Sequence, residues 1–158
     1  MLLLSIYISI AIGISFICSV LEAVLLSISP SYIAQLNQQG HPAAGQLAKL
    51  KSDIDRPLAS ILTLNTIAHT IGAATAGAQA AVVFGSEALG IFSAVLTLAI
   101  LVLSEIVPKT IGATYWRQLA PTAAVALRWM VWALTPFVWF SDQITKRSEE
   151  HTSELQSH

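Results

Sequence analysis

Between Leu2 and Ile28 the chain carries a single charge, that of Glu22. A run of that length crosses a hydrocarbon core, which needs about 20 residues, and inside lipid the backbone must satisfy its own hydrogen bonds, so a helix is the form open to it. Two further runs follow: Pro57 to Gly85, with no ionised side chain after Arg56, and Ala88 to Val107, dominated by Leu, Ile, Val and Ala. The predicted fold class is an all-α membrane protein with three transmembrane helices, at about 2–28, 57–84 and 88–107. Composition agrees, since 54% of residues are hydrophobic and 11% charged, against roughly a quarter charged in soluble domains. A net charge of −1 offers no basic surface for nucleic acid. One cysteine, Cys18, excludes an internal disulfide and a cysteine-based zinc finger and reads as a small apolar filler. The Met1-Leu2-Leu3-Leu4 start lacks the basic residues of a signal peptide, so the first helix is expected to be retained.

The remaining segments read as cytoplasmic-side juxtamembrane or interfacial helices. Ser29-Pro30 is a cap followed by a first-turn proline, and Gly40 to Pro42 is a break, within an expected helical region of 30–52. The stretch from Trp116 to Ile144 is long enough to cross, but Pro121, Arg128 and Pro136 interrupt it and four tryptophans are spread along it. Arginine is costly at mid-membrane and tryptophan prefers the headgroup boundary, so a pair of short interfacial helices over 116–145 is expected rather than a fourth span. Lys49, Lys51 and Arg56 lie between the first two spans, while Lys109, Arg117, Lys146 and Arg147 follow the third. The positive-inside rule then places the N-terminus outside and the C-terminus in the cytoplasm of a plasma or bacterial inner membrane. From 147 to 158 the chain is polar and without apolar periodicity; it reads as a disordered, non-native tail, whose His151 and His158 are not taken as metal ligands.

Chemistry concentrates at Ser104-Glu105-Ile106-Val107-Pro108-Lys109, at the end of the third run. A bare carboxylate at that depth costs about 2.5–3.5 kcal/mol or more, so it must be protonated, paired or bound to a cation. Pro108 cannot donate to the carbonyl of Ser104, which frees an oxygen beside Glu105. Asn65 and His69 are four apart on one face of the second helix and look into one cavity. Imidazole suits transition metals better than hard ions; His69 either contacts an ion or hydrogen-bonds a neighbour. Ser15 and Ser19 either return a hydrogen bond to the preceding turn or face the same cavity, and Thr63, Thr66 and Thr70 are equally open. Glu22 either lines an ion path or pairs with a base such as Lys109. Gly72, Ala76 and Ala80, with Ala73, Gly77 and Ala81, form small-residue stripes for close helix packing. Enzyme chemistry is not indicated: there is no nucleophile elbow, zinc helix or phosphate-binding glycine loop, and no Cys/His pair suited to nucleophilic catalysis.

Taken together, Ser19-Val20-Leu21-Glu22-Ala23, Leu64-Asn65-Thr66 with His69, and Glu105-Ile106-Val107-Pro108-Lys109 with Gly112 resemble the transmembrane domain of the CNNM/CorC (cyclin M) magnesium transporters, over roughly residues 1–146. The resemblance implies a homodimer of three-helix domains that exports dehydrated Mg²⁺ in exchange for Na⁺. It maps the metal pocket to Ser19, Asn65, His69, Glu105 and the backbone near Gly112, with His69 where the family usually has asparagine. The cytosolic CBS pair and CorC module of full-length relatives are expected to lie outside this chain. A passive divalent-cation channel and a non-transporting helical assembly or regulatory module remain the alternatives.

Overall fold

The computed structural model describes residues 2–85, 87 and 89–157 of the 158. Ala88, where the third span was expected to begin, and His158 lie outside the described residues. Among the described residues every regular element is helical: α1 (Leu2–Ser27), α2 (Pro30–Gln38), α3 (Ala43–Ser52), α4 (Asp55–Phe84), α5 (Leu89–Leu101), a π-helical turn (Val102–Ile106), α6 (Val107–Thr114) and α7 (Trp116–Ser157). The local punctuation behaves as its chemistry dictates. Ser29 caps α2 by accepting from the Tyr32 amide at 3.2 Å, with Pro30 at the first helical position. Gly40 adopts φ +69°, the left-handed conformation that ends a helix, and Pro42 precedes α3.

Helix α1 is the axis of the domain. Its N-terminal half packs on α4 through small residues: Ala76 and Ala80 are buried with Leu4, and Gly72 lies where an added Cβ would run into that of Ala11. One of the two small-residue stripes is therefore used within the chain, while Ala73 and Ala81 of the other are exposed. The C-terminal half of α1 supplies Cys18, Leu21, Val24 and Leu25 to a core completed by Leu36, Leu47, Ile61, Ala120, Ala124 and Leu127. Cys18 is fully buried there, as an apolar filler. Thus α2, α3 and the start of α7 clasp one end of the α1–α4 pair.

Among the described residues four helices, not three, are long and apolar enough to cross a membrane: Leu2–Ser27, Asp55–Phe84, Leu89–Thr114 and Trp116–Ser153. The expected pair of short helices over 116–145 is instead one continuous helix with Pro121 and Pro136 inside it. Each proline deletes one backbone bond but need not end a helix if the freed carbonyl finds another donor. Pro121 frees the carbonyl of Arg117, and the Tyr32 hydroxyl donates to it at 2.8 Å. The segment 147–157, expected to be disordered, continues the same helix. Nothing from Ser141 onward is proline or glycine, and a helical backbone bonds to itself without needing an apolar partner; the described side chains from Trp139 onward are accordingly exposed.

Candidate functional site

The third apolar helix does not run straight through its acidic residue. At Val102–Ile106 it widens into a π turn, closed by a bond from the Val107 amide to the Val102 carbonyl. Such turns accommodate an interrupted ladder, and Pro108 supplies the interruption. The Ser104 carbonyl that Pro108 leaves free accepts from the Ser19 hydroxyl of α1 at 2.5 Å, with both residues fully buried. Ser19 therefore does not bond back into its own helix; it fastens α1 to the π turn. Pro108 and Pro121 share one device, a hydroxyl from a distant helix that satisfies the carbonyl a proline has orphaned.

Glu105 projects from this turn toward α4. Its Oε1 accepts from the Asn65 amide nitrogen at 3.2 Å, and its Oε2 lies 3.2 Å from the Lys109 ammonium. Lys109 is also 3.6 Å from Glu22 of α1, so one cation bridges two carboxylates. On the far side of Asn65, its oxygen accepts from the Ser15 hydroxyl at 2.7 Å, and Ser15 in turn is 2.6 Å from His69 Nε2. A hydroxyl has one proton, so with Ser15 donating to Asn65, His69 donates to Ser15 from Nε2. The donors run in one direction, His69 to Ser15 to Asn65 to Glu105, and end on the carboxylate. His69 Nε2 itself stands 3.9 Å from Glu105, too far for a hydrogen bond.

Of the residues singled out in the sequence, Asn65, His69 and Glu105 form one cluster, and Ser19 joins it through the neighbouring Ser104 carbonyl. Gly112 has a packing role: an added Cβ would meet the Val20 carbonyl at 2.7 Å and the Ala23 side chain at 2.8 Å, so its bare backbone lets α6 lie against α1. Thr63 bonds back to the Ala59 carbonyl. Ser15 was not assigned to the pocket from sequence. Its signal was the four-residue spacing from Ser19, which puts both hydroxyls on one face of α1. Among the described residues no three His, Cys, Asp or Glu side chains gather in a metal-holding group. The donors available to a cation are one carboxylate, one amide oxygen, hydroxyls and an imidazole, a set rich in hard oxygens and poor in charge. Glu105 keeps 22% of its side chain exposed, so it is not sealed within the helix packing.

Comparison with known proteins agrees with this architecture. The family model described as the cyclin M transmembrane N-terminal domain matches residues 6–156. The chain is 38% identical over 131 residues to the UPF0053 protein sll1254 of Synechocystis, covering 83% of this chain and 38% of that protein. It is 27% identical over 125 residues to the UPF0053 inner membrane protein YfjD of Escherichia coli, covering 79% of this chain and 29% of the relative. A chloroplastic DUF21 domain-containing protein of Arabidopsis thaliana is 27% identical over 128 residues, 81% of this chain and 19% of the plant protein. The chain thus spans well under half the length of the curated relatives it matches.

Proposed function

The chain belongs to the cyclin M transmembrane N-terminal domain family, and on that premise we propose that this integral membrane domain carries divalent cations across the bilayer, with Mg²⁺ exported in exchange for Na⁺. The supporting observation is the anionic Glu105, lodged at a π turn of an apolar helix and fed by a one-way chain of donors from two other helices. A carboxylate kept at such a place and surrounded by oxygens suits a hard cation, which asks for several oxygen ligands including an anionic one. Lys109 gives the site its resting state. Its ammonium neutralises Glu105, and an arriving cation displaces it toward Glu22, already 3.6 Å away. Asn65 then turns its amide so that its oxygen faces the ion, while Ser19 and the Ser104 carbonyl hold the turn in shape. The reading includes a homodimer; α5, which buries none of its residues within the chain, leaves a face for lipid or a second copy. It also includes an external N-terminus, with Lys49, Lys51 and Arg56 in the cytoplasm.

One observation favours the helix-assembly alternative: the cluster is already satisfied internally, and among the described residues no buried side-chain polar atom lacks a partner. Thermal unfolding separates the two. A ligand that binds only the folded state at 100 times its Kd stabilises by about 2.7 kcal/mol, so Mg²⁺ is expected to raise the Tm of the wild-type protein and leave that of Glu105→Gln unchanged. Indifference of the wild-type protein to Mg²⁺ would favour the assembly role.

His69 tunes this site rather than founding it. Changing His69→Asn is expected to retain Mg²⁺ binding, since an amide also donates to Ser15, and to lower the relative affinity for Mn²⁺, Co²⁺ and Zn²⁺. Calorimetric titration with each metal reads the ranking. An unchanged order would leave His69 as a scaffold for Ser15 alone.

A further inference from the structure

Arg128 sits in the apolar helix α7, where a lone charge is expensive, and the cation cluster around Glu105 does not involve it. It opens instead onto a cavity of about 580 Å³ between α7, the end of α3 and the start of α4, which it shares with Lys49, Arg56, Asp53 and Trp132. Three of the chain's eight basic residues meet here. No ion pair joins Lys49, Arg56 or Arg128 to an acid among the described residues, since all the salt bridges there belong to Glu22, Glu105, His69 and Lys109. With Asp53 as the only acid in the lining, the cavity carries an excess of two positive charges.

We propose that this cavity binds the phosphate headgroup of an anionic phospholipid. The shared chemistry is a phosphate held by convergent cations; two features of the lining favour a lipid source over a free anion. Leu50, Pro57, Val131 and Trp132 form apolar walls beside the charges, which suit a glycerol backbone and acyl chain. The position is also right, because Arg56-Pro57 marks the step from the charged segment to the apolar run of α4, at headgroup depth. Trp132 lies one turn beyond Arg128 on the same face of α7, where an indole favours the membrane boundary. Basic pockets between membrane helices recognise anionic headgroups in this way. Membrane insertion is all this requires; it stands or falls independently of ion transport.

The test is native mass spectrometry of the protein released from vesicles of equal phosphatidylglycerol and phosphatidylcholine. Wild-type protein is expected to retain phosphatidylglycerol over phosphatidylcholine by about tenfold or more, each excess cation contributing about fivefold. The double variant Lys49→Gln/Arg128→Gln is expected to lose that preference, with folding verified by circular dichroism, whereas Lys146→Gln/Arg147→Gln, which removes two charges from the exposed end of α7, keeps it. Arg128→Lys is expected to keep part of it. Equal retention of the two lipids by wild-type protein overturns the proposal, and that arm decides even if a cavity variant fails to fold. Equal loss in the two double variants overturns it in favour of diffuse attraction. Displacement of the lipid by excess inorganic phosphate, without lipid preference, assigns the cavity to a soluble anion and overturns the lipid.

Discussion

Replacing Glu105 by glutamine is expected to abolish Mg²⁺ flux in proteoliposomes while the protein remains inserted and helical. The substitution is nearly isosteric. Its amide oxygen still accepts from Asn65, so the contact between the π turn and α4 survives. What disappears is the negative charge, together with the Lys109 pair at 3.2 Å; Lys109 retains Glu22. Depriving a buried cation of its anionic partner costs about 3–5 kcal/mol, roughly two to three and a half orders of magnitude in affinity. Glu105→Ala is expected to match this in flux and to melt lower, because Asn65 then loses its acceptor as well. Normal flux through Glu105→Gln would remove the carboxylate from the transport path.

Gly72→Ala is expected to lower the melting temperature and loosen the site from a distance. An added Cβ would run into the Ala11 Cβ, well inside the roughly 3.5–4.0 Å that carbon atoms prefer. The atom met is a methyl one bond from the backbone, so neither side chain can swing clear and α1 must move away from α4. Overpacking of this kind typically costs 1–3 kcal/mol. The same two helices carry Ser15 and Asn65, whose 2.7 Å bond closes the donor chain, so Mg²⁺ affinity should fall with stability. Gly77→Ala is the control: nothing lies within 4 Å of its added Cβ, and alanine gains up to about 1 kcal/mol of helix propensity. Equal melting of Gly72→Ala and the wild-type protein would show that the α1–α4 contact is looser than described.

What could be read in the sequence was what depends on composition or on near neighbours. The first three apolar runs, the Ser29 cap, the Gly40 break and the carbonyl freed by Pro108 all rest on composition or on residues within a turn or two of each other. Partners far apart in the chain were legible only as open choices. Ser19 finds its acceptor 85 residues away, and Ser15 its partners 50 and 54 residues away. The same distance hid the continuity of α7, because Pro121 reads as a breaker until Tyr32 is seen to satisfy the Arg117 carbonyl. Arg128 argued against a fourth apolar helix for a sound reason, its charge; only the fold reveals the cavity that accommodates it.

Crystals soaked in Mn²⁺, a heavier stand-in for Mg²⁺ with usable anomalous scattering, put the central claim to its most direct test. The account predicts an anomalous peak within about 2.5 Å of a Glu105 carboxylate oxygen, with the Asn65 oxygen turned toward it and the Lys109 ammonium moved over to Glu22. A Glu105 still shared between Asn65 and Lys109 at saturating metal, with the peak elsewhere or missing, would contradict it and leave the cluster as a clasp between helices.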